Sequence, residues 1–215
     1  MRRIYAGADA VVTYGEHVSR YVRGRGARRV HVAPQAVDGS FWGARGNVAP
    51  ALSRQPFVAL FVGRDVPEKG LGVLRSAWDA AGVEGELVVV SGGHSPEQLR
   101  NLYAAADVLV VPSLRTRTFR EPWGLVTNEA MHQGTAIIAS DQVGAVAGGL
   151  VRHERNGLVV SAGDADALAA ALRRAAGDPQ ARGRWAANAA EDVAPYSYAA
   201  WADGFATALA EVGAC

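Results

Sequence analysis

One cysteine, Cys215, closes the 215-residue chain. Without a second thiol no disulfide framework and no thiolate metal site can form within it, which suits a reducing compartment. No apolar run approaches the roughly 20 residues that cross a bilayer as a helix, and the start, MRRIYAGADA, lacks the long apolar core of a secretory signal. An excess of one charge is missing too. Lysine and arginine number 22 against 21 aspartates and glutamates, a net charge of +1, so no global field draws the chain to nucleic acid or to an acidic membrane. The basic run at residues 23–29 (RGRGARR) is short and reads as a solvated face. His17, His31, His94, His132 and His153 are scattered, and no Asp-x-Asp pair stands in a suitable loop, so no metal site is expected. What the chain does have is 49% apolar residues, enough to build a core for one generous domain or one and a half small ones.

Short apolar runs at 9–14, 30–33, 57–62, 86–90, 108–111, 136–139 and 158–160 alternate with stretches of helical spacing. FVALFV at 57–62 is apolar throughout, as befits a strand buried on both faces of a parallel sheet. Leu71, Leu74 and Trp78 fall on one helical face, as do Leu99, Leu102 and Tyr103. Ser95-Pro96-Glu97-Gln98 reads as a capping box with proline at the first helical position, and Asp164 as an N-cap ahead of Leu168 and Leu172. Two further helices follow to Glu211, with Trp185, Tyr198, Trp201 and Phe205 as packing residues. Residues 44–56 mix Gly, Pro, Asn and Arg without periodicity and read as a linker. The pattern predicts an α/β fold, a Rossmann-like doubly wound parallel sheet over 57–195.

The chain is organised around residues 112–144. A strand stops at Pro112, a polar arginine-bearing loop follows, and a helical pattern opens near Gly124, with Glu121 just before it and Glu129 more than a turn inside. Free N–H groups of Gly124, Leu125 and Val126 and the helix dipole make that end a candidate anion site. A diphosphate fits such a field, whereas a carboxylate set against a diphosphate repels it. Glu121 and Glu129 therefore suit neutral hydroxyls beside the phosphates, of the kind a nucleotide sugar carries on its sugar and its ribose. On spacing alone, a first-turn acid and a solvated helix residue explain the two glutamates equally well.

EPWGLVTNEAM, with its E-x7-E spacing, then AIIASD and VGAV, resembles the donor-site signature of the group 1 (family 4) glycosyltransferases, which have the two-domain GT-B architecture. GRDVPEKG at 63–70 and PQAVDGSFW at 34–42 resemble further family segments in the family's order. The resemblance implies a retaining, metal-independent hexosyltransferase without a cofactor, its donor a nucleotide-diphosphate sugar, UDP or GDP type foremost. Residues 1–43 would be the remnant of the acceptor domain, 57–195 the donor-binding domain and 196–215 the crossover helix. In the donor loop Arg64 and Lys69, beside Gly63, would neutralise the departing diphosphate. Gly124 with the N–H groups of Leu125 and Val126 would assist the phosphates, Glu129 would accept from the ribose and Glu121 from the transferred sugar.

The acceptor is unknown, and a separate acceptor-domain chain as partner stays open, because most of the N-terminal domain is missing. The expected location is cytoplasmic, with peripheral attachment to the inner membrane face left open. Family members carry an additional strand and helix between the segments matching Val90 and Ser95, and here only Ser91, Gly92, Gly93 and His94 stand between them. A non-catalytic nucleotide-sugar-binding module therefore remains an alternative. A glycoside hydrolase using Glu121 and Glu129 as its acid/base pair is a further one, although hydrolase carboxylates flank the scissile bond about 5–9 Å apart rather than sharing one loop and helix.

Overall fold

The computed structural model describes residues 2–213, so Cys215 lies outside the described residues. In chain order the elements are α1 (Arg2–Gly7), β1 (Val11–Thr13), α2 (Glu16–Arg23), β2 (Val30–Val32), α3 (Gly39–Trp42), α4 (Pro50–Ser53), β3 (Val58–Val62), α5 (Leu71–Ala81), β4 (Glu86–Val90), α6 (Pro96–Ala105) and β5 (Val108–Val111). There follow α7 (Val126–His132), β6 (Ala136–Ser140), α8 (Gly144–Ala147), β7 (Gly157–Val160), α9 (Ala165–Gly177), α10 (Pro179–Val193) and α11 (Tyr198–Glu211). They form two compact units, one of residues up to Asp38 together with Pro195 onward, the other Gly39–Ala194.

In the first unit β1 and β2 pair in parallel, Val11 opposite Val30 and Thr13 opposite Val32. Thr13 Oγ1 and Ser19 Oγ lie 2.7 Å apart in the interior, fixing α2 to β1. Helix α11 packs on β2 through small residues: a Cβ added to Gly204 would come within 2.4 Å of the Val32 carbonyl oxygen, and Ala208 is buried. The aromatic residues of that helix point the other way. Of the four expected packing residues only Trp185 is buried, at 2% exposure. Tyr198 and Trp201 are 59% and 47% exposed, and Phe205 is exposed as well. A two-stranded sheet presents one surface to the helix, and the glycine–alanine face occupies it.

The second unit is built on five parallel strands in the order β4-β3-β5-β6-β7. Counted within the unit this is 2-1-3-4-5, a doubly wound order whose switch point lies between β3 and β5. The central strands β3 and β5 are apolar throughout because both faces are covered: α5 and α9 pack on each other, and α6, α7 and α10 form a second group. Right-handed crossovers place the two groups on opposite faces. The core joins Phe57, Phe61, Leu71, Leu74, Val108, Ile138, Leu168, Leu172 and Trp185. Strand β4 is one edge of the sheet, and residues 91–95 lead directly from it into α6, whose capping box has the Ser95 hydroxyl accepting from the Gln98 N–H and the Gln98 side chain accepting in return. Residues 39–47 lie against α6 and α7. Trp42 packs edge-on against Tyr103 with ring centroids 5.8 Å apart, Gln133 donates to the Trp42 and Ala44 carbonyls, and the Asn47 N–H donates to Asn101 at 2.8 Å.

Candidate functional site

Two loops at the carboxyl ends of β3 and β5 enclose a cavity of about 260 Å³ at the switch point, where doubly wound sheets bind ligands. The first leaves β3 through Gly63 and Arg64 and turns into α5 by a 3₁₀ turn, Pro67–Lys69. Gly63 keeps the cavity open: a Cβ there would sit 3.3 Å from the Phe61 ring and 3.9 Å from the stem of Lys69. The chain then passes Gly70 at φ +72°, where a Cβ would lie 2.1 Å from the Pro112 carbonyl oxygen. Only glycine fits that approach in that conformation. The Leu114 N–H donates to the Glu68 carbonyl at 2.8 Å, so the two loops are joined backbone to backbone.

The second loop carries Ser113, Glu121 and Gly124. Segment 121–123 is clasped from behind by α8 and the residues before it: Gly144 N–H donates to the Glu121 carbonyl at 3.1 Å and Ala145 N–H to the Trp123 carbonyl at 2.9 Å. The indole N–H of buried Trp123 donates to Asn128 of α7 at 2.8 Å. Gly124 stands at φ +86°, a left-handed conformation that keeps it outside the helix. The helix opens at Val126 with Leu125 as its N-cap rather than near Gly124, because the ladder begins with Thr127 N–H to the Gly124 carbonyl and Glu129 N–H to the Leu125 carbonyl.

Seven of the eight residues singled out from the sequence line this one cavity: Gly63, Arg64, Lys69, Glu121, Gly124, Leu125 and Val126. Within it the Lys69 ammonium donates to Glu121 and lies over the Phe119 ring at 5.7 Å. Glu121 is 6% exposed and also accepts from the Ser113 hydroxyl at 3.3 Å. Ser113 is in turn fixed by the Ser140 hydroxyl, which donates to its carbonyl at 2.5 Å. A carboxylate so buried needs both a cation and a hydrogen bond, and this one has them. Arg64 is exposed at the rim.

Glu129 is the eighth and is not among the lining residues. It sits one turn along α7 from Val126, on the same face, and accepts from the Tyr103 hydroxyl at 2.7 Å. Burial lifts its carboxyl above the ordinary range, with the Tyr103 hydrogen bond pulling the other way. Burial and the neighbouring Glu129 charge push the Tyr103 phenol far up in turn, so it stays a donor.

Sequence reasoning passed over Ser113, Phe119 and the polar role of Tyr103. Ser113 has no signal beyond its place after Pro112 at a strand end, and Tyr103 is spaced as an ordinary inward-facing helix residue. Among the described residues no group of three or more His, Cys, Asp or Glu side chains could hold a metal, and no helix is long and apolar enough to cross a membrane.

The family model for group 1 glycosyl transferases matches residues 79–192, more than half of the chain, including β5, the E-x7-E segment and β6. Over 110 residues the chain is 37% identical to the D-inositol 3-phosphate glycosyltransferase of Corynebacterium glutamicum, a match covering 50% of this chain and 24% of that protein. Over 66 residues it is 39% identical to the lipopolysaccharide 1,2-N-acetylglucosaminetransferase of Salmonella typhimurium, covering 31% and 16% respectively. The chain thus spans a quarter or less of these relatives' length. Among solved structures, sucrose-phosphate synthase of Thermosynechococcus elongatus superposes with a TM-score of 0.80 at 26% identity, over 99% of this chain and 60% of that one. Anabaena HepE, solved in complex with UDP-glucose, shares the fold, with a TM-score of 0.74 at 20% identity over 97% of this chain and 67% of its own. With the family model aligned over more than half of the chain, including β5, the second loop and α7 on one side of the cavity, the chain belongs to the group 1 glycosyltransferases.

Proposed function

We propose that this chain is the donor-binding half of a retaining glycosyltransferase that moves a sugar from a nucleotide-diphosphate sugar, of UDP or GDP type, to an acceptor hydroxyl. The observation that carries this is the single cavity at the switch point, where a cation pair, a held carboxylate and the start of α7 converge. Cleaving the bond between sugar and phosphate leaves a nucleoside diphosphate whose growing charge needs fixed cations. Lys69 and Arg64 supply them in this scheme without a metal, and the N–H groups of Leu125 and Val126 add two donors. When the diphosphate draws Lys69 away, Glu121 is released to accept from hydroxyls of the transferred sugar. At about 260 Å³ the cavity is just below the usual range of ligand sites, about 300–1,000 Å³, so it holds the diphosphate and part of the sugar. The ribose then lies past its rim, toward Glu129.

In this scheme residues 1–43 are the end of an acceptor domain, 44–56 a linker, 57–195 the donor domain and 196–215 a crossover helix. The acceptor site comes from sequence outside this chain or from a separate acceptor-domain polypeptide, and the protein works in the cytoplasm, free or at the inner membrane face. A HepE structure holding UDP-glucose on the same fold supports the choice of donor class.

Calorimetric titration against UDP-, GDP- and ADP-sugars tests the proposal. Lys69→Ala and Glu129→Ala are expected to lower affinity by about 10- to 100-fold, the worth of one or two hydrogen bonds to a charged group. Glu97→Ala, on the exposed first turn of α6, is expected to leave it unchanged. Equal affinities across the three variants would remove the site assignment.

A second scheme, a nucleotide-sugar binder that does not transfer, draws on β4 standing bare at the sheet edge. Binding without turnover in the presence of the acceptor half would single it out.

A further inference from the structure

We infer that Tyr103 is a positioning residue for the donor's ribose, acting through Glu129; this rests on the donor reading above. Tyr103 is 0% exposed on the inner face of α6, and its hydroxyl donates to Glu129 Oε2 at 2.7 Å. The residue is itself held in place. The Trp42 ring meets the phenol edge-on at 5.8 Å and 63°, and the Thr135 hydroxyl donates to the Tyr103 backbone carbonyl at 2.8 Å.

A half-buried carboxylate on a two-torsion stem would otherwise rotate among several orientations. The single phenol fixes one oxygen. Among the described residues no other side chain bonds this carboxylate, and Oε1 is not among the buried atoms left without a partner. Oε1 is therefore not sealed off from solvent, and its lone pairs can accept from two neighbouring hydroxyls. Val126, which lines the phosphate cavity, stands one turn away on the same helix face. That separation suits a ribose attached to a diphosphate, whose vicinal 2′- and 3′-hydroxyls can both donate to one oriented carboxylate.

The test compares UDP with 2′,3′-dideoxyuridine diphosphate, and GDP with its dideoxy counterpart, on the wild-type chain and on Tyr103→Phe. Phenylalanine keeps the ring and its packing on Trp42 and removes only the donor. The expected result is that the wild type prefers the ribonucleotide by about tenfold or more, and that Tyr103→Phe loses most of this preference while binding the dideoxy form as before. A purely structural role would weaken both ligands equally, and that result overturns the inference. Should the wild type bind both forms alike, the assignment of Glu129 to ribose fails. Should neither nucleotide bind the wild type, the donor reading fails first.

If Tyr103→Phe alone does not fold, the same substitution is made on Glu129→Ala. With no acceptor left to orient, it is expected to change neither affinity by more than about twofold, and a larger change in the ribo/dideoxy ratio overturns the inference.

Discussion

Lys69 and Glu121 neutralise each other in the unliganded chain, so the cation proposed to meet a diphosphate is already engaged. An incoming diphosphate, with more charge and more acceptor oxygens than one carboxylate, is expected to win that competition and leave Glu121 to Ser113. Ser113→Ala is therefore expected to weaken binding of a nucleotide sugar by about tenfold, with a smaller loss for the free nucleoside diphosphate, where water takes the sugar's place beside Glu121. Paired titrations measure the difference. Glu129 gives the site a pH signature. Burial raises its carboxyl pKa, so between the ordinary value and the raised one the folded chain keeps a proton that the unfolded chain releases. Its contribution to stability is thus present below the ordinary value and lost as pH rises through the raised one. Donor affinity moves the opposite way, rising as the carboxylate forms. Melting curves and titrations across acidic to neutral pH are expected to show both trends in the wild type and neither in Glu129→Gln. Seven of the eight candidate residues meet at one cavity, and they could be picked out from the sequence because loop chemistry at a strand end is local. Their partners Ser113, Tyr103 and Phe119 could not, because those contacts join positions from different elements.

At the scale of elements, strands 86–90 and 108–111 and the capping box at Ser95 stood where periodicity and cap chemistry put them. The start of α7 did not. EPWGLV looks helical from Gly124 onward, yet Gly124 turns left-handed and the helix waits until Val126. What forces this is a neighbour distant in sequence, α8, whose N–H groups hold residues 121–123 in place. Gly144 makes that clasp possible, since a Cβ there would fall 1.7 Å from the Pro122 carbonyl oxygen. Gly144→Ala is expected to cost about 3 kcal/mol or more and to displace Glu121, read by urea denaturation and by loss of donor binding. A second clasp sits far from the cavity. Asp192 of α10 accepts from Arg152, Arg155 and Asn156, tying the turn before β7 to the helix. Burial would raise its pKa, but the hydrogen bonds from Arg155, Arg152 and Asn156 outweigh it and hold the carboxyl below the ordinary range. Its stabilisation is full above the ordinary value and lost as pH falls through the lowered one. Asp192→Asn is expected to lose about 1–3 kcal/mol at neutral pH and to flatten the acid limb of the stability curve, while donor affinity stays unchanged.

At the scale of the whole molecule, the two units differ in completeness. The five-stranded unit has a buried core on both faces of its sheet, whereas the other has two strands, and three aromatic residues of α11 open to solvent. The aromatic spacing announced a helix with one apolar face but not which way it would turn. That was decided by Gly204 and Ala208, which let α11 approach β2 closely. An exposed stripe of Tyr198, Trp201, Phe205 and Leu209 on a chain of this size favours self-association. Trp201→Ser with Phe205→Ser is expected to abolish concentration-dependent association in sedimentation runs without altering donor affinity.

The backbone bond from Leu114 to the Glu68 carbonyl, with Gly70 pressed on Pro112, has a mechanical result. The floor of the cavity is riveted before any ligand arrives, so hydrogen–deuterium exchange at the Leu114 amide should be slow in the empty protein and hardly slower once a nucleotide is added. Any hinge that closes over a ligand in this cavity would have to lie outside these two joined loops.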